Sequence, residues 1–148
     1  MVTKREILEL MNEADAVYLA TIGDGGPRIR ALVNLRRAEL YPAASKICRT
    51  DDFTAFLATS GASDKVREIR ANSAVALYYC DTDRFHGVTL NGHAEVLNDA
   101  GLKQALWSAD WSVYWPQGAG DPDYVVVRVK PEAVSGWWDG KPFRLDGP

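Results

Sequence analysis

Apolar residues in "TKREILELMNEADA" fall at Ile7, Leu10, Met11 and Ala14, a stripe with the 3.6-residue period of a helix. Thr3 and Glu6 precede it in capping-box register, so the spacing predicts an amphipathic helix over residues 4–14. The period then drops to two. "VYLATI" reads as a strand and "GDGGP" at 23–27 as a turn, since glycine, aspartate and proline suit special turn dihedrals. "RIRALVNLRRAEL" sets Ile29, Ala31, Val33 and Leu35 against Arg28, Arg30, Leu32, Asn34 and Arg36, a half-buried strand with Arg30 on its polar face. Residues 41–52 read as a longer loop with room for a turn of helix. "FTAFLAT", "AVALYYCD" and "GVTLNGHAEVL" are strands, the last alternating Val88, Leu90, Gly92, Ala94 and Val96 against Thr89, Asn91, His93 and Glu95. "SDKVREIRAN" predicts a short helix with Val66 and Ile69 inward, and "DAGLKQALW" another, capped by Asp99. "YVVVRVK" and "VSGWW" supply the last strands. About six strands with two or three helices, mostly joined by turns, predict a mainly β protein. An antiparallel barrel with peripheral helices fits better than a parallel α/β sheet, which needs a helix after nearly every strand.

Composition narrows the classes. The 148 residues suit one domain, 1–148, with one sizeable core. A net charge of −3 carries no basic surplus for nucleic acid. No apolar run reaches the length of a membrane helix, and the charged, amphipathic start is unlike a signal peptide. Cys48 and Cys80 have neither metal-site spacing nor the density of a disulfide framework, so a reduced, cytoplasmic setting without a metal is expected.

The stretch "ATSGASDKVREIRANS" carries the most chemistry. Thr59, Ser60, Ser63 and Lys65 stand at a strand-to-helix junction, and a phosphate monoester is best held by cations, hydroxyls and the N–H groups of a helix start. The competing reading has Ser63 or Asp64 capping the helix and Lys65 in solvent. A Walker-type loop is excluded by the missing glycine spacing and "GK[ST]" ending. His86 and His93, seven apart on one strand, point to opposite faces and have no ligand cluster. Trp107, Trp111 and Trp115, each four apart, line one face of a helix that Pro116 ends. They pack on the barrel or a dimer interface, or wall a flat ligand.

In this order the features resemble the pyridoxamine 5′-phosphate oxidase-like, FMN-binding split-barrel family, in its small general-stress-protein branch. The likeness runs through "VYLATIGDGGPRIRALVNL", "FTAFLATSGASDKVREIRANSAVALYYCD", "GVTLNGHAEVLND" and "LKQALWSADWSVYWPQGAGDPDYVVVRVKPEAVSGWW". It implies a six-stranded antiparallel split β-barrel and a homodimer with FMN in a groove between subunits. Arg30, Ala31, Leu32, Val33 and Asn34 would then lie along the flavin, with Arg30 at its phosphate. Thr59, Ser60, Ser63 and Lys65 would complete the phosphate and ribityl contacts, and one of the tryptophans of the 107–115 region, Trp115 among them, would reach the partner's flavin. Three departures stand out. Asp64 replaces an arginine of the oxidase, Gly87 falls near a flavin-contacting glutamine, and the tail "PFRLDGP" offers only Arg144 and Asp146 for the oxidase's Arg-x-His. The resemblance thus implies a flavin-dependent oxidoreductase acting on an unspecified small molecule or electron donor. A non-catalytic flavin-binding or stress-sensing module, or a barrel using deazaflavin, is the alternative.

Overall fold

The computed structural model describes residues 1–147. Helix α1 (Lys4–Glu13) starts where the sequence places it, with the Thr3 side chain accepting from Glu6 N and Glu6 closing the capping box on Thr3 N. Its apolar stripe, Ile7, Leu10 and Met11, enters the principal core. Strands β1 (Val17–Gly23) and β2 (Gly26–Leu32) form a hairpin, α2 (Pro42–Cys48) follows, and β3 (Ala55–Ser60) leads into α3 (Asp64–Ala71). Strands β4 (Ala74–Asp81) and β5 (His86–Leu97) precede α4 (Ala100–Leu106), two short 3-10 turns, β6 (Tyr124–Trp138) and β7 (Lys141–Leu145). The strands join in the order β2-β1-β4-β5-β6-β3, all antiparallel, with β7 added on β6. This is the expected mainly β class, a curled antiparallel half-barrel of six strands with helices around it and β7 as a seventh strand.

The core lies inside the curl. Leu19, Leu57, Leu77, Val88, Leu90, Val127, Val129 and Val134 meet α1 there, all buried. Each such side chain removed from water contributes about 1.5–3 kcal/mol. Trp111, Trp115, Tyr124, Leu106, Leu35, Ala44 and Cys48 form a second cluster, under α2, α4 and the 3-10 turns.

Four differences from the sequence reading have physical causes. The two last strands are one, because a register shift opposite Asn91 and Gly92 carries β6 past Pro131, a residue tolerated in a sheet at such an irregularity. Residues 42–48 are a full helix rather than loop, opened by Pro42, whose missing N–H costs nothing in the first turn. The tryptophan helix does not form. Helix α4 ends at Leu106 and a 3-10 turn spans Ala109–Val113, yet the three indoles still gather around Tyr124 with centroids 4.9–5.9 Å from its ring. Finally, β2 stops at Leu32, and its faces are reversed: Arg30 and Leu32 turn inward while Ile29, 70% exposed, Ala31 and Val33 turn outward. No helix among the described residues is long and apolar enough to cross a membrane.

Candidate functional site

Arg30 stands opposite Leu19 in the β1–β2 register, and residues paired in this way share a face. Leu19 is a core residue, so the arginine is carried inward with it. Its Nη1 donates to the Leu19 carbonyl (3.2 Å) and the Thr21 hydroxyl (2.8 Å), and its Nη2 donates to Glu68 Oε1 (2.9 Å). Glu68 comes from α3, one residue before the buried Ile69, and its side chain is 2% exposed. The Thr21 hydroxyl donates to the same carboxylate oxygen (2.7 Å), while Arg28 Nε lies 3.5 Å from the other. The hydrogen bonds from Thr21 and Arg30, with the charges of Arg28 and Arg30, hold this carboxyl below the usual carboxylate range in spite of burial.

Three Arg30 hydrogens are thereby used. Among the described residues no protein acceptor takes Nε or the second hydrogen of Nη2. That edge is the planar two-donor fork that matches a phosphate or carboxylate. Lys65, half-buried on the first turn of α3, has its ammonium pushed below the ordinary lysine value by desolvation and then by the charge of Arg30, with Asp64 opposing. Two cations held this way favour an anion between them.

The helix start is also available. Ser63 occupies the N-cap position, but its hydroxyl donates backward to the Ser60 carbonyl (2.7 Å) and does not cap the helix. The preceding turn is fixed from outside, by Gly61 N to the Asp123 carbonyl (2.6 Å) and Ala62 N to Asp123 Oδ1 (3.0 Å). Asp64 points to solvent and pairs with Arg67 (3.2 Å). The simple capped-helix reading therefore fails: neither Ser63 nor Asp64 caps the helix by its side chain, and Lys65 is not freely solvated. Thr59 is buried and Ser60 half-buried at the end of β3.

Not every predicted residue joins this group. Ala31 and Val33 lie on the outer face of the β2 chain, and Leu32 packs against the principal core. Asn34 is spent structurally: Nδ2 donates to the Met11 and Ala14 carbonyls (2.8 and 2.9 Å) and Oδ1 accepts from Arg36 N (3.1 Å). Its side chain pins the end of α1 and has no hydrogen left for a cofactor. Trp115 is 6% exposed inside the second cluster and so does not join the Arg30–Lys65 group within this chain. The exposed large apolar side chains of that segment are Val113 and Tyr114. The residue that the sequence reading missed is Glu68. The available signal was a carboxylate beside the inward Ile69 of a helix, with arginines on a neighbouring strand.

On the outer face, cross-strand register lines up Ala31, Tyr18, Tyr78, Thr89 and Ser135 from β2 through β6, with Ile29, Ala20 and Ala76 beside them. Ile29, Tyr18 and Tyr78 are exposed. The Tyr78 phenol lies across Gly87, where a Cβ would overlap its hydroxyl.

Comparison with known proteins bears on the fold and the family. A crystal structure from Clostridium acetobutylicum, of a protein related to general stress protein 26 in the pyridoxinephosphate oxidase family, is 26% identical, with a TM-score of 0.77 over 97% of this chain and 96% of its own. General stress protein 26 from Bacillus anthracis shares the fold at 20% identity and TM-score 0.73, over 96% of this chain and 98% of its own. An F420 reductase shares it at 21% identity and TM-score 0.57, over 86% and 94%. A search of curated proteins found no match. The fold is thus that of the split-barrel proteins. The family profile described as pyridoxamine 5′-phosphate oxidase matches residues 3–138, and the chain belongs to that family.

Proposed function

We propose that this chain is an FMN-binding flavoprotein, a homodimer that exchanges electrons with a small molecule. The observation that carries the reading is the open Nε/Nη2 edge of Arg30 beside the desolvated Lys65, at a helix start that no side chain caps. A terminal phosphate would supply an acceptor for this open edge, which Glu68 does not cover. Arg30 and Lys65 would hold it by charge-assisted hydrogen bonds, the N–H groups at the start of α3 by their orientation, and Ser60 and Thr59 would border it. The chain of Ala31 to Val33, extending from the arginine, would follow the ring system with its backbone. When bound, the flavin supplies the redox chemistry, and the protein's task is to orient it and exclude water. The exposed apolar rows of Ile29, Ala31, Tyr18 and Tyr78 are proposed as the face on which a second copy packs.

The test is direct. The purified protein is denatured and the released chromophore identified by absorbance and mass, with FMN expected. Release of a deazaflavin, or failure to take up added FMN, overturns the reading. Anaerobic mixing of the holoprotein with NADPH and NADH then tests the oxidoreductase part, for which rapid bleaching is expected. Bleaching that stays slow with both overturns turnover with these donors and favours a flavin-binding module.

A further inference from the structure

The anion site already contains an anion of its own. Glu68 lies buried against Arg30, Arg28 and Thr21, on the end of the Arg30 guanidinium next to the open edge. Arg28, Arg30 and Lys65 are three cations, and Arg30 is close enough to disfavour the charge on Lys65. Gathering like charges in a partly desolvated place is unfavourable without a counter-charge. The other carboxylate on this turn, Asp64, is exposed and bound to Arg67, so it screens the group weakly.

Resting on the phosphate reading above, we infer that Glu68 is a resident counter-anion: it holds the cation cluster assembled in the free protein and competes with the phosphate when one arrives. Two consequences follow. Three cations and one carboxylate leave two positive charges, which matches a phosphate monoester dianion. A dianion on the open edge of Arg30 also meets repulsion from a carboxylate on the same guanidinium, so the phosphate is held less tightly than the cations alone would hold it. Glu68 is accordingly a positioning and affinity-setting residue that keeps the cofactor exchangeable, and it trades ligand affinity for stability of the free protein.

Glu68→Gln keeps the shape and an oxygen to accept from Thr21 and Arg30, and removes the charge. Thermal unfolding is measured with and without saturating inorganic phosphate, and binding of phosphate and FMN by titration calorimetry, for wild type, E68Q and K65A. The expected result has three parts: a lower midpoint for E68Q in phosphate-free buffer, restoration toward wild type by phosphate, and phosphate and FMN dissociation constants at least tenfold lower than in wild type. If E68Q does not fold without anion, refolding it by dialysis into phosphate is the equivalent measurement, and recovery there supports the inference. Unchanged or weaker anion binding in E68Q, or a stability deficit that phosphate does not relieve, overturns it. The underlying reading fails separately, if wild type binds neither ligand or if K65A binds both as wild type does.

Discussion

Lys65→Ala separates binding from stability more cleanly than other changes in this site. The ammonium is half-buried, has no carboxylate within ion-pair distance among the described residues, and is disfavoured by desolvation and by Arg30. Its removal takes from the free protein only the weaker attraction of Asp64, which desolvation and Arg30 outweigh, and the unfolding midpoint should stay level or rise. The bound state is different. A phosphate oxygen about 4 Å from the ammonium would gain about 4 kcal/mol per charge pair at an effective dielectric of 20. Screening at a half-open site brings this to the range of a charge-assisted hydrogen bond, about 1.5–3 kcal/mol. That corresponds to a loss of roughly 10- to 150-fold in FMN affinity. Flavin fluorescence titration of wild type and K65A, each with a melting curve in the absence of flavin, gives both numbers. An FMN affinity unchanged in K65A would falsify the placement of the phosphate. A fall in affinity accompanied by an equal loss of stability in the flavin-free protein would refute the charge argument, since Lys65 would then be structural.

Other outcomes follow from the same contacts. Asn34→Ala strips partners from the Met11 and Ala14 carbonyls and Arg36 N in a buried place, and should cost about 2–4 kcal/mol in urea unfolding, with a value under 1 kcal/mol contradicting the pin. Because the Glu68 carboxyl is held below its usual value of 4.5, its contribution to stability is complete above that pH and is lost as pH falls through the lowered value. E68Q should lack this segment of the acid-unfolding curve, and parallel curves would contradict the assignment. The Cys48 thiol, buried and pushed up to about 12 by desolvation, should alkylate far more slowly than the half-exposed Cys80, as mass spectrometry after brief iodoacetamide treatment would reveal. Ile29→Arg on the outer face should convert the proposed dimer to monomer in analytical ultracentrifugation while leaving the far-UV spectrum unchanged. A variant that still sediments as a dimer would place the interface elsewhere.

Local signals in the sequence were sufficient for much of this fold. The Thr3/Glu6 capping box, the alternation of β5 and the Asp99 cap depend on residues within a few positions of each other, and all three form as read. Misreadings arose where a distant partner decided the outcome. The pattern around Arg30 seemed to put apolar residues inside, but Glu68, 38 residues later, provides an inward partner for the arginine. Its apolar neighbours Ile29, Ala31 and Val33 are left for another surface. Asn34 came in only with the family resemblance, and its structural task was hidden because the carbonyls it serves lie about 20 residues away in α1 and its end. Trp107, Trp111 and Trp115 had the spacing of one helical stripe, but the helix gives way to a 3-10 turn and Tyr124 gathers the three indoles into a core. Lys65 and the Ser60–Ser63 turn were legible as a group, since they are adjacent in the chain. The buried carboxylate that sets their charge was not.

The central claim is that this site is built for a terminal phosphate. Parallel titration of the wild-type flavin-free protein with FMN and with riboflavin, which differ only in that group, tests it most directly. Two charge-assisted contacts at about 1.5 kcal/mol each predict FMN binding roughly a hundredfold tighter than riboflavin. Equal affinities, or tighter binding of riboflavin, would contradict the account.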